Sequence, residues 1–288
     1  LHFLQNDAEV PKDVRENARQ WGLCKDEFVD SNHVPPRLYI REARRMVGQH
    51  VYTEGDTDSA PNDARARLHT DSIAISDYIL NCHGTGRTGT RFDGKHQGEF
   101  YKFVQPSQIP YGVIVPTRTT NLLVPVAVSA SHVGFSMLRY ECVWMSLGQA
   151  AGHAAHLSLK HSISSQKVAV SGLQDLIHAD NGITIYLSDV LPGSKDFAAV
   201  QWIGTHGFFH GLQDTMGKPL PKPKSLGGQY NEAFPYHAVE MEKLLDVATE
   251  AKWRRLAASL KSPVAPPAEF IGQSRSVMLR AIYQNRPK

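Results

Sequence analysis

Residues 121–159 constrain the fold more than any other stretch: an apolar run, a short Ser/His loop, and a proline-free segment carrying Gly148-Gln149-Ala150-Ala151-Gly152. Asn121-Leu122-Leu123-Val124-Pro125-Val126-Ala127-Val128 is bounded by turn residues, and its apolar run predicts a strand buried on both faces of an α/β sheet. Beyond Ser129-Ala130-Ser131-His132, residues 141–159 read as one long helix. Gly148, Gly152 and Ala155 fall at i, i+4 and i+7, so one face of that helix has almost no side chain. An interior glycine costs a helix about 1 kcal/mol relative to alanine. Two on one face imply that something approaches the helix backbone closely, and tight packing against a sheet is the simplest such neighbour.

The remaining sequence bounds the function classes. A chain of 288 residues with 41% hydrophobic content can bury about two domain cores. A formal net charge of +3 is too small to argue for nucleic acid or an anionic membrane as partner. No apolar run approaches the length of a membrane span, and no signal sequence is visible. Cys24, Cys82 and Cys142 are odd in number and widely spaced, which suggests neither a disulfide framework nor a zinc ribbon.

Along the chain, residues 11–23 read as a short helix with Pro11 near its start and Gly22 near its end. Pro35-Pro36 then launches a short strand, 38–40, that runs into a helix near 41–47. Residues 52–69 read as a surface connection, and 111–115 as a strand bracketed by Pro110 and Pro116. After about Ser165 the pattern becomes helical, with a helix over 168–179, a loop over 218–228 and a helix over 237–260.

Several blocks together resemble a bacterial family of FAD-dependent oxidoreductases. They are Pro35-Pro36-Arg37-Leu38-Tyr39-Ile40-Arg41-Glu42-Ala43-Arg44-Arg45-Met46, Asp71-Ser72-Ile73-Ala74, Ile109-Pro110-Tyr111, the run from Asn121 to Val126, Ser129-Ala130-Ser131-His132, Leu138-Arg139 and Leu147-Gly148-Gln149-Ala150-Ala151-Gly152. The blocks occur in the family's order across about residues 30–160. The resemblance implies an α/β chain: an α+β substrate domain over 1–120, then the closing strand and helix of an FAD-binding Rossmann-like domain over 121–165. A small, mostly helical C-terminal domain over 166–288 would follow. It implies FAD as cofactor, a small-molecule substrate, and a last helix whose amino terminus points toward the flavin ring. Such a helix end would stabilise the negative charge of a reduced flavin by about 0.3–1 kcal/mol when exposed and up to about 2 kcal/mol when partly buried.

A flavoprotein of this kind also needs a glycine-rich turn between a strand and a helix for the FAD pyrophosphate. Gly84-Thr85-Gly86-Arg87-Thr88-Gly89 matches formally, but no apolar helical period follows it, so it reads as a polar loop. With Leu1 rather than methionine at the start, the chain reads as the carboxyl-terminal portion of a longer protein. An amino-terminal FAD-binding segment of that protein becomes its expected partner, and localisation, cytoplasmic or exported, stays open.

The resemblance assigns chemistry to particular residues. His132 stands in the loop nearest the flavin, where its imidazole either exchanges a proton with substrate or bonds a loop carbonyl. Arg139 either holds an anionic substrate or the flavin carbonyl edge, or pairs with Glu141 or another acid. Tyr111 either presents its hydroxyl to the site or is an ordinary buried tyrosine. Ser131, Met137, Leu138, Gly148, Gln149 and Gly152 are the expected cofactor-binding set. The basic cluster Arg37, Arg41, Arg44 and Arg45 is a solvated helix face or a substrate or cofactor contact. His153 with His156 and His206 with His210 lack a third ligand, so no metal site is expected. A second, fainter resemblance, to a surface-layer-homology module, rests on Tyr186-Leu187-Ser188-Asp189-Val190, Ala198-Ala199-Val200, Ile203, Gly207, Gly211, Pro263-Val264 and Ala268-Glu269-Phe270. It implies the alternative of a cell-wall or glycan-binding module attached to a degenerate flavoprotein.

Overall fold

The computed structural model describes residues 1–36, 44–82, 100–213, 234, 236–260 and 270–287. The expected strand 38–40, the Gly84 to Gly89 loop and the 218–228 loop lie outside these residues, as do Arg37, Arg41 and most of the 263–270 block. The chain divides into two compact units, Leu1–Glu42 and Ala43–Lys288. In the first, helices α1 (His2–Asn6) and α2 (Lys12–Ala18) pack together, and the Gln5 side chain donates to the carbonyls of Ala18 and Trp21. Pro11 caps α2 as expected, but the helix ends at Ala18, four residues before Gly22.

The larger unit mixes helices with two small antiparallel sheets. Strand β1 (Ser72–Ser76) and strand β2 (Leu80–Cys82) pair with β4 (Ser107–Pro110) and β3 (Phe100–Lys102) respectively. The buried strand expected over 121–128 does not form. Asn121 takes a left-handed φ of 57°, Pro125 has no N–H to give to a ladder, and residues 121, 122 and 126 are exposed. Scattered bonds replace the ladder: Val124 N donates to the Ile114 carbonyl, Ser129 N to that of Val113, and Met46 N to that of Ala127. Residues 111–115 likewise form no strand, since a 3-10 turn over Tyr111–Val113 follows β4. Residues 44–47 form no helix either.

The expected surface connection 52–69 is largely interior. Tyr52, Ala64, Asp56, Thr57, Asp63 and Arg65 are all buried, because the polar groups among them satisfy one another and nearby amides.

Helix α3 (His132–Leu138) begins where the sequence suggested only a loop. Helix α4 (Glu141–His161) follows and matches the expected long helix. It buries Val143, Leu147, Ala150, Ala151 and Ala154 against β1 and α5 (Val170–Ala179), and these side chains join Ile73, Ile109, Phe135, Leu173 and Ile177 in one core. A second core, from Ile185 to Ile282, surrounds α6 (Phe197–Thr205), which is buried nearly all round and packs against α8 (Arg275–Gln284). Helix α7 (Val247–Ser259) starts ten residues later than the expected 237. Before it, Asp189 captures the amides of Val239 and Glu240, Leu245 N bonds the Gln273 carbonyl, and Asp246 caps the helix by accepting from Thr249 N.

The glycine-bearing face of α4 is not closely approached among the described residues. A Cβ on Gly148 or Gly152 would meet nothing within 4 Å, and Gly152, Ala155, Met145 and Leu159 are exposed. The tightest of the described glycines is Gly134 in α3, where a Cβ would overlap the Tyr52 carbonyl oxygen and lie 2.8 Å from its carbon. We therefore expect Gly148→Ala and Gly152→Ala each to stabilise the 288-residue chain by about 0.5–1 kcal/mol. Gly134→Ala should destabilise it by about 1–3 kcal/mol, as overpacking does. Urea denaturation of the three variants checks both signs.

Candidate functional site

Most of the residues that the sequence singles out lie along α3 and α4. Ala130 bridges Tyr52 in parallel, Ser131 N donates to the Tyr52 carbonyl, and the Ser131 hydroxyl caps α3 by accepting from Gly134 N at 3.0 Å. His132 is the first residue of α3 and is exposed. Met137 and Leu138 are fully buried, and Met137 Sδ accepts from the Tyr52 hydroxyl. Arg139 closes α3 inside the protein at 3% exposure, with Nη2 donating to the Asn81 carbonyl at 3.4 Å. Helix α4 opens next, and its N-cap residue Tyr140 makes no side-chain capping bond. The first-turn N–H groups of this 21-residue helix have no intrahelical acceptor, and that end carries about half a positive charge. The Trp144 Nε1–H is buried without an acceptor among the described residues. Gly148 and the exposed Gln149 and Gly152 lie farther along the same helix. Tyr111 is set apart from this group: its buried hydroxyl donates to the Ser165 carbonyl at 2.9 Å, and burial pushes its pKa up to about 12.

One cluster was not foreseen. Asp56 sits in a 3-10 turn, Glu54–Thr57, where a capping box with Thr53 brings Thr53 N to 2.6 Å and the Thr53 hydroxyl to 3.0 Å from Asp56 Oδ2. Its other oxygen lies 2.8 Å from His50 Nε2 and 3.1 Å from His69 Nε2. The two imidazoles meet edge to face, with centroids 5.4 Å apart. Lys102 bonds Glu54 and Asp58 alongside, each at 2.8 Å. The turn contacts α3, and the backbone of Tyr52 and Thr53 lies against Gly134, so this charged knot braces the ground under His132. Thr53-Glu54-Gly55-Asp56 could have been read as a capping box, but nothing in the sequence links His50 to His69.

The histidine pairs form no metal centre, and no group of three or more His, Cys, Asp or Glu among the described residues is arranged to hold a metal ion. His206 Nδ1 bonds the Trp202 carbonyl, His210 Nε2 that of Ala66, and His153 lies 3.0 Å from Asp180. Of the arginine cluster, Arg45 lies over the Phe135 ring at 5.2 Å. No described helix is long and apolar enough to cross a membrane.

The Asp56 cluster gives stability a definite pH dependence. The bond to Asp56 raises the His50 pKa above 6.5 against an opposing effect of burial, so its contribution is full below 6.5 and fades as pH rises through the folded-state value. Burial pushes Asp56 upward, but bonds from His50, His69 and Thr53 N outweigh it and hold the carboxyl well below the usual carboxylate range. That contribution is present above the unfolded pKa and is lost in strong acid. Asp56→Asn should cost about 1–3 kcal/mol near neutrality and flatten the decline of melting temperature above pH 6.5, which thermal melts across pH measure.

Comparison with known proteins places these observations. No curated protein and no solved structure matches the chain. The profile described as FAD dependent oxidoreductase matches residues 2–177, which include both sheets, α3, α4 and nearly all of the first core. By that match the chain belongs to the family of FAD dependent oxidoreductases.

Proposed function

We infer that this chain supplies the flavin- and substrate-facing portion of a dehydrogenase-type flavoenzyme acting on a small or carbohydrate-like substrate. FAD is the family's cofactor, and when bound it supplies the two-electron acceptor for hydride. The residues present fit its isoalloxazine end. The first-turn N–H groups of α4, which have no intrahelical acceptor, and the Trp144 Nε1–H, without an acceptor among the described residues, are donors suited to a ring edge that becomes negative on reduction. The pyrophosphate end is not matched, because among the described residues no glycine-rich turn joins a strand to a helix.

The open face of α4 carries this reading. Gly148, Gly152 and Ala155 offer bare backbone between exposed Met145 and Leu159, so a nucleotide-binding segment of the same protein can seat against them without displacing a side chain. Helix-interior glycines that meet nothing among the described residues are destabilising, and a neighbour that needs their narrowness gives them a purpose.

In that assembly His132, exposed at the first position of α3, exchanges a proton with the substrate at neutral pH. Ser131 fixes the α3 terminus that presents it. Arg139 acts from inside the protein by tying the end of α3 to the β2 strand. His132→Gln keeps a hydrogen-bonding side chain but cannot titrate. In the flavin-loaded protein it should retain flavin and slow single-turnover, substrate-dependent flavin reduction by about 10²–10⁴-fold. A normal rate per bound flavin would remove His132 from the chemistry.

A further inference from the structure

A second polar site lies where the two hydrophobic cores meet, and it is independent of the flavin chemistry. Arg65 is 3% exposed. Its Nε donates to the Phe209 carbonyl at 3.2 Å and its Nη1 to the Tyr186 carbonyl at 3.0 Å, while Nη2 has no partner among the described residues. Both acceptors are neutral. The nearby carboxylates are engaged elsewhere: Asp63 accepts from the amides of Arg65 and Gly211, and Asp189 from those of Val239 and Glu240. Asp63 and Asp189 still act on the guanidinium, but burial outweighs them and lowers its pKa, so a closer counter-charge on the idle donor would offset the remaining desolvation cost.

His210 lines the same cavity. Its Nε2 lies 3.0 Å from the Ala66 carbonyl, so the proton of the neutral ring sits on Nε2 and leaves Nδ1, buried and without a partner, as a lone pair. Gln108, Tyr186 and His237 complete the polar lining of a cavity of about 10 Å³, room for one water-sized occupant. That room suits a water or a monatomic ion better than phosphate, a nucleotide or an organic acid. A water would accept from Arg65 and donate to His210 but add nothing to the partial compensation that Asp63 and Asp189 give the guanidinium. An anion answers the charge and needs a donor on its other side, which His210 provides once Nδ1 is protonated.

We propose that this cavity binds one halide-sized monovalent anion between Arg65 Nη2 and His210 Nδ1, with a proton entering on His210 together with the anion. The charged groups around His210 set the balance. Burial favours the neutral ring, Asp63 favours the proton, and Arg65 and Lys252 oppose it, Lys252 through an ammonium that donates to the His210 carbonyl. An anion beside the ring reverses that balance. Because Arg65 and Gln108 come from the sheet-bearing half and Tyr186, His210 and His237 from the helical half, the anion would pin the two cores together.

Thermal unfolding of the protein in sodium chloride, sodium bromide and sodium gluconate at matched ionic strength tests this from about pH 6 to about pH 8. Halide should raise the melting temperature beyond gluconate, and its apparent affinity should weaken about tenfold per pH unit where free His210 is neutral. Arg65→Gln should abolish the halide effect. Because that variant also loses two carbonyl bonds, bromide-soaked crystals of the unmodified protein provide a second readout, an anomalous peak beside Arg65 and His210. Equal melting in halide and gluconate, or a water at the site with no bromide peak, would overturn the proposal. A halide affinity independent of pH would overturn the coupled proton.

Discussion

Three chain segments that form no regular ladder, 46–53, 111–116 and 124–131, share one set of backbone hydrogen bonds, and the placement of α3 depends on it. Buried amides and carbonyls must find partners, and here they find them singly. His50 N bonds the Gly112 carbonyl, Gln49 N that of Val115, Tyr52 N that of Ser129, and Ser131 N that of Tyr52. Two isolated bridges, Gly48 with Pro116 and Tyr52 with Ala130, fix the register. The last of these bonds delivers Ser131 to the start of α3, and the absence of a side chain on Gly134 lets the Tyr52 carbonyl lie directly against that helix. His132, and then α4, follow from this junction. The buried Asp56 with its two histidines secures the same segment, so a polar knot and a glycine contact together hold the start of α3.

The sequence was most legible where local signals and packing agree. Residues 141–159 contain no proline, and their apolar positions line one face; the helix forms there with two further residues. The α5 and α2 helices were recognised from the same kinds of signal, with small errors at their ends. The failures share a cause. Residues 121–128 have strand-like composition, but Pro125 and the left-handed Asn121 deny them a ladder, and composition cannot reveal whether neighbouring strands exist to pair with. Residues 237–246 look helical, yet long-range capture of two amides by Asp189 outcompetes the helix until Asp246 caps it. Seven-residue α3 was invisible because Ser131 lacks an acidic partner three residues on, where Gly134 stands instead.

At the site, the family blocks fall on α3 and α4, with Ser131 capping α3 and His132 at its first position. Burial decided what the blocks could not. Tyr111 bonds Ser165, Arg139 turns inward to Asn81, and the glycine face of α4, read as a closely packed surface, is open among the described residues. The Asp56 cluster was half legible: its capping box is a four-residue pattern, whereas the two histidines reach it only through the fold. Arg65, drawn from a stretch that reads as polar connection, became interior because its donors meet carbonyls from residues more than a hundred positions away.

If the first turn and narrow face of α4 form one wall of a flavin site, bound FAD shields the amides there. Amide hydrogen exchange across residues 131–159 of the flavoprotein, compared with and without bound FAD, tests it most directly. The account predicts slower exchange on FAD binding at Glu141, Cys142 and Val143, whose N–H groups have no intrahelical acceptor. Exchange at these amides unchanged by a saturating cofactor would contradict it.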